Sequence, residues 1–147
     1  MSGKSSLALN AVEMVDRLCW RCYKLKEFCE CSQPPISMRS VWEDVEGTLD
    51  REWAACIGAR PESYVVALAD YGEAYVNIAE RALSAHDCAL LVIDSLAALT
   101  PEAQFEAPAE DQFIGRQAAM IGNAVRKLKQ RLIRERKAEH PCTILFV

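Results

Sequence analysis

Helical and extended periods alternate along this chain, and no other feature limits its fold as much. Leu7, Ala11, Val15 and Leu18 recur at helical spacing within 5–18, with Ala8 and Val12 beside them. Beyond a break at 19–35, the pattern predicts a strand at 37–45, a helix at 51–57, a strand at 64–68 and a helix at 73–85. The wholly apolar run 89–93 reads as a further strand. A long helix then sets Ile114, Ala118, Ile121, Val125, Leu128 and Leu132 on one face, His140-Pro141 ends it, and 143–147 is a last strand. Strands separated by helices build a parallel sheet with helices on its faces, so the expected class is α/β. Residues 100–111, with two Pro and no periodicity, are expected to form a loop. Glu43 lies inside the strand at 37–45, expected to be buried, where its charge has no explanation unless it faces solvent at a sheet edge.

With 51% apolar and 26% charged residues the composition is that of an ordinary globular domain, which excludes disordered, collagen-like and coiled-coil readings. No apolar run approaches the ~18 residues of a membrane span, and the N-terminus lacks the apolar stretch of a signal peptide, so a cytoplasmic protein without membrane partners is expected. The net charge of −4 hides an asymmetry: 116–137 carries eight basic residues and one acid, Glu135. That helix could meet a polyanion, or its Lys and Arg could form a solvated face opposite the apolar stripe.

Three short motifs lie where a nucleotide would need them. Gly3-Lys4-Ser5-Ser6 opens a helix whose free N–H groups can meet phosphate, with Lys4 reaching outer phosphates and the Ser5 hydroxyl holding magnesium. A plain helix start is the alternative. Asp94 ends the apolar strand 89–93, on the sheet edge where α/β proteins bind ligands and a magnesium-bound nucleotide needs a carboxylate. Asp44-Val45-Glu46-Gly47 ends the earlier strand in the same way, so Glu46 can polarise an attacking water or simply be a solvated strand end.

Seven cysteines are present, four of them within 19–31 as Cys19-x-x-Cys22 and Cys29-x-Cys31. Four thiolates so close in sequence can surround one tetrahedral zinc ion, a closed and therefore structural site. Reduced thiols on a mobile loop are the alternative. Trp20, Arg21, Tyr23, Lys24, Lys26 and Phe28 interleave aromatic and basic side chains, which suits single-stranded nucleic acid or packing around a metal. Cys56, Cys88 and Cys142 have apolar neighbours and are expected to be small core residues.

The run Asp94-Ser95-Leu96-Ala97-Ala98-Leu99-Thr100-Pro101, the acidic loop after it and a helix containing Val125-Arg126-Lys127-Leu128 resemble the RecA family of DNA recombinases. Asp44-Val45-Glu46-Gly47-Thr48-Leu49-Asp50, Trp53 and Gly58 extend the resemblance over essentially the whole chain except the Cys-rich segment. It implies a RecA-like P-loop NTPase core, a mainly parallel sheet flanked by helices, in a domain spanning 1–147. The Cys-rich segment 19–35 is not part of the family pattern and reads from its spacing as a small zinc-binding insertion. The resemblance also implies ATP with magnesium held by Gly3, Lys4, Ser5, Ser6 and Asp94, with Glu46 as catalytic base and Lys4 on the phosphates. Asp50 and Trp53 match adenine contacts. The loop 102–115 matches a DNA-binding loop, with Ile114 at an apolar wedge position, Arg126 at a phosphate contact and Arg116 nearby. The implied function is ATP-dependent binding of single-stranded DNA by a homo-oligomeric filament in recombination and repair.

The family's first strand, the first half of its phosphate loop, its second DNA-binding loop and its N-terminal oligomerisation segment have no counterpart here, so a partial core is expected. If the family's sheet order applies, strand 143–147 is left with an unpaired apolar edge. Two other readings stay open: a non-catalytic zinc-containing module that binds DNA or a partner, and another RecA-like ATPase such as a helicase.

Overall fold

The apolar run becomes β3 (Cys88–Asp94), a strand buried at every position. In the computed structural model, described for residues 3–34, 37–105, 115–138 and 142–147, β3 lies between β1 (Arg39–Asp44) and β4 (Thr143–Phe146). With β2 (Tyr64–Ala67) outside β1, the order is β2-β1-β3-β4, and every pairing is parallel. This is the α/β architecture expected from the sequence.

A strand buried on both faces needs cover on both. On one side α1 (Gly3–Arg17) and α2 (Arg51–Ile57) supply Leu9, Val12 and Ala54, which share a core cluster with Trp42, Leu90 and Val92. On the other, α3 (Gly72–Ser84) and α5 (Arg116–Lys137) supply Ala79, Leu83 and Leu128, clustered with Leu91 and Ile93. Alternate β3 side chains thus feed two cores, as the two-residue period of a strand requires. Where α3 starts, its backbone runs so close to α5 that a Cβ on Gly72 would stand 2.6 Å from the Met120 side chain. Only glycine fits there without a shift.

Several expectations are corrected. Glu43 does not face solvent at an edge: β1 is an inner strand, paired on both sides, and Glu43 is 0% exposed with neither carboxylate oxygen hydrogen-bonded. Leu7 is 70% exposed, because the face of α1 turned to the sheet runs through Ser5, Ala8, Leu9, Val12 and Val15. Ser5 fixes that phase by its bond to Asp94 at the sheet's edge. The buried side of α5 is likewise rotated from the expected stripe, through Ala124 and Leu128 to Glu135, leaving Ala118 and Val125 exposed. The Gln117 amide, which donates to the carbonyls of Ala97 and Leu99 at 2.9 and 3.0 Å, anchors α5 in this orientation. Cys56 is exposed rather than in the core, whereas Cys88 is buried and Cys142 half-buried. Within the expected loop at 100–111, Thr100 and Pro101 are irregular as expected, 102–105 form a single helical turn, α4 (Glu102–Phe105), and 106–111 lie outside the described residues.

The ends of α2 follow capping rules. The Asp50 carboxylate accepts from the Trp53 N–H at 2.9 Å, and Gly58 closes the helix at φ 103°. Asp50→Ala is expected to cost about 1 kcal/mol, read as a lower urea midpoint at unchanged denaturant slope.

Candidate functional site

Parallel strands all end at one edge of the sheet, and here the C-terminal ends of β1 and β3 meet the N-terminus of α1. Asp94 closes β3, is 6% exposed, and accepts a 2.8 Å hydrogen bond at Oδ2 from the Ser5 Oγ. Those partners are 89 residues apart in sequence. The same edge carries a cavity of about 320 Å3 lined by Lys4, Ser5, Glu46, Thr48, Asp94, Ser95 and Val147. The exposed Lys4 contributes the only cation among these lining residues.

Glu46 reaches the cavity from the turn after β1. The Asp44 carboxylate holds that turn, accepting from the N–H groups of Thr48 and Leu49 at 3.0 and 3.1 Å, while the Tyr75 hydroxyl donates to the Asp44 carbonyl at 3.2 Å. Gly47 takes the left-handed conformation, φ 65°, that lets the chain reverse. The Glu46 carboxylate is oriented in turn by the Ser95 hydroxyl, which donates to it at 2.7 Å. Two oxygen-rich arms, Ser5 with Asp94 and Ser95 with Glu46, therefore flank one space below a helix N-terminus. That donor set fits a magnesium-bound phosphate: hard oxygen ligands, a lysine, and the start of a helix.

The remaining expected residues are placed less uniformly. Gly3 and Ser6 lie in the first turn of α1, and the Trp53 indole N–H donates to the Ser6 hydroxyl at 3.2 Å, so Trp53 stands beside that turn. The Asp50 carboxylate is engaged in capping α2 and is not among the cavity-lining residues. Arg116 and Arg126 lie on α5, both exposed, with Arg126 donating to the Asn123 side chain at 2.9 Å. Ile114 lies outside the described residues. Elsewhere on α5, the exposed Lys127 is paired with Glu80, and Arg131 with the buried Glu135. Cys19, Cys22, Cys29 and Cys31 converge, their sulfurs all within 4.8 Å of one another.

Sequence reasoning overlooked Thr48, Tyr75 and Val147. Asp44 with Gly47 three residues on signals a turn in which an aspartate binds backbone N–H groups, and that signal points to Thr48. Tyr75 and Val147 carry no local signal, because only the packing of α3 and β4 brings them here.

The family of the RecA N-terminal domain matches residues 24–146. The chain belongs to the RecA family. It is 39% identical over 127 residues to Protein RecA of Lactococcus lactis subsp. cremoris (strain MG1363), covering 86% of this chain and 28% of that relative. It is 34% identical over 127 residues to Protein RecA of Mesoplasma florum, covering 86% of this chain and 33% of the relative. The similarity to Protein RecA of Prochlorococcus marinus (strain MIT 9211), 30% over 146 residues, takes in 99% of this chain and 34% of the relative. The chain thus spans about a third of the length of the curated relatives it matches. Among the described residues of this RecA-family chain, no helix is long and apolar enough to cross a membrane.

Proposed function

We propose that this chain forms part of the nucleotide-binding core of an ATP-dependent recombinase, spanning 1–147 with the Cys-rich insertion at 19–35. The bond between Ser5 and Asp94 carries the reading, because it joins a Lys-Ser helix start to a strand-end carboxylate across 89 residues. In this reading the N–H groups of α1 around Gly3 and Ser6 receive phosphate, and Lys4 neutralises its charge. Ser5 and Asp94 hold magnesium, which supplies charge neutralisation on the phosphates when bound. Glu46, held by Ser95, accepts a proton from the attacking water. Trp53 offers an aromatic face to adenine near the first turn of α1, and Asp50 supports it by capping α2.

Arg116 and Arg126 are the proposed phosphate contacts for single-stranded DNA, with Ile114 as the apolar wedge, so binding should weaken steeply with salt. A homo-oligomeric filament acting in recombination and repair, in the cytoplasm, is the setting this reading implies. The RecA-family membership supports recombination over a helicase role.

Calorimetric titration of the folded chain with magnesium and a slowly hydrolysed ATP analogue tests the proposal. A charge-assisted hydrogen bond contributes about 1.5–3 kcal/mol, so Lys4→Ala is expected to weaken binding roughly 10–100-fold. A folded wild-type chain that binds no nucleotide overturns the reading in favour of a non-catalytic module.

A further inference from the structure

The four clustered thiols have the spacing of ligands sharing one ion. Cys22 and Cys29 sulfurs stand 3.7 Å apart, and no pair in the set exceeds 4.8 Å. Zinc binds thiolate at about 2.3 Å, which in a tetrahedron separates the sulfurs by roughly 3.8 Å. A disulfide would need about 2.05 Å, and none of the four cysteines is disulfide-bonded.

The backbone between them is wound to present the sulfurs. Cys19 N–H donates to the Lys24 carbonyl at 2.8 Å, the Tyr23 N–H returns to the Cys19 carbonyl at 2.7 Å, and Leu18 bridges Leu25 in antiparallel fashion. This tight loop brings Cys22 back over Cys19 and leaves Tyr23 at φ 58°, a conformation unfavourable for a bulky side chain. A single 3-10 turn, Lys26–Phe28, then delivers Cys29.

Apolar support for that shape is limited to the half-buried Trp20, which packs against the α1 core and edge-on against Tyr23. Within 19–34 only Cys19 is buried, and Tyr23 and Phe28 are 60% and 65% exposed. A segment without a core is ordered by a cross-link or an ion, and structural zinc supplies about 10–16 kcal/mol of apparent binding free energy in small peptides. A divalent ion with four thiolates has a net charge of −2, and 17–31 carries four basic residues, Arg17, Arg21, Lys24 and Lys26, against two acids, Glu27 and Glu30.

The same segment closes the end of α1. The Val15 carbonyl accepts from the Trp20 indole N–H at 3.3 Å, and the Asp16 carbonyl accepts from the Lys26 ammonium. These are carbonyls that a helix leaves without intrahelical partners. Trp20 lies between the first two cysteines and Lys26 between the second and third, so an ion that fixes the loop fixes both donors.

We propose that Cys19, Cys22, Cys29 and Cys31 bind one zinc-class divalent ion, and that this ion clamps the C-terminal end of α1. The shell of four thiolates is closed and leaves no position for substrate, so the role is structural. The inference does not depend on nucleotide binding.

The test uses the full chain, reduced and stripped of metal, titrated with cobalt(II) and then zinc. One equivalent of cobalt is expected to give the thiolate charge-transfer and intense visible bands of a tetrahedral site, and one equivalent of zinc to bleach them. Cys22→Ser and Cys31→Ser should each weaken cobalt binding by more than the roughly 10–100-fold that loss of an outer-shell partner costs. Cys56→Ser should leave it unchanged. Zinc should also slow amide hydrogen exchange in 13–25 and leave β3 as it was. A weak octahedral cobalt spectrum on the wild-type chain, or unchanged affinity in both ligand variants, overturns the site. Tetrahedral binding with unaltered exchange at the end of α1 overturns the clamp.

Discussion

Glu43→Leu is expected to stabilise the protein, and the gain should grow as the pH rises from about 5 to about 8. Glu43 is 0% exposed on an inner strand, and its carboxylate oxygens have no hydrogen-bond partner. On β1 it shares a face with Val41, and Val45 follows in the same alternation just past the strand's end. Both valines pack against the α3 and α5 core, and Glu43 is in register with Ile93 and Ala67 on the flanking strands. Burial alone pushes its carboxyl up to about 8, from an ordinary value of 4.5. The folded protein therefore keeps a proton on Glu43 over a range where the unfolded chain has lost it. Folding takes up that proton, so stability falls with rising pH between the two values and levels off above the upper one. The slope is at most about 1.4 kcal/mol per pH unit, which makes the loss at neutral pH on the order of 3 kcal/mol. Urea denaturation of wild type and Glu43→Leu at about pH 5.5 and about pH 7.5 measures it. Because other titrating groups contribute equally to both proteins, the change in the difference between them belongs to Glu43. A difference that stays constant across that range would place an unseen partner on the carboxylate.

Glu43 also marks where sequence stops being a guide. Its position in a strand was legible, but nothing local says whether a strand is central or at an edge. That depends on β2 and β3 arriving on either side, from 21 and 45 residues further along the chain. The strands and helices themselves were legible because each is dominated by one period, as in the fully buried β3. Helix phase was not. In α1 the exposed Leu7 and the buried Leu9 are equally apolar, and the choice between them is made by Ser5 seeking Asp94. At the site, residues that end strands or start helices, namely Asp94, Glu46, Lys4 and Ser5, were visible from motif and topology together. The family resemblance implies an adenine contact at Asp50, whose carboxylate here is engaged in an N-cap. The thiols were legible as a set because their chemistry depends on spacing in sequence, and a loop of thirteen residues lets nearby positions meet in space.

Glu46→Gln is expected to leave affinity for magnesium and a slowly hydrolysed ATP analogue unchanged while lowering phosphate release by about 10²–10⁴-fold. The amide is nearly the same shape as the carboxylate, and its carbonyl oxygen can still accept the hydrogen bond that Ser95 now donates to Glu46 at 2.7 Å. What it loses is basicity, so only a step that needs a proton acceptor should suffer. Asp94→Asn should behave differently. Asp94 accepts from Ser5 at 2.8 Å on the proposed metal side, and neutralising it removes ground-state binding as well as turnover. The two variants therefore separate along two axes, affinity and rate, which a merely structural role for either residue would not produce. Phosphate release at saturating nucleotide with single-stranded DNA present supplies the rate, and calorimetry supplies the affinity. Equal losses of both in Glu46→Gln would mean that Glu46 shapes the turn after β1, and would move the search for the base to the other oxygen donors that line the cavity.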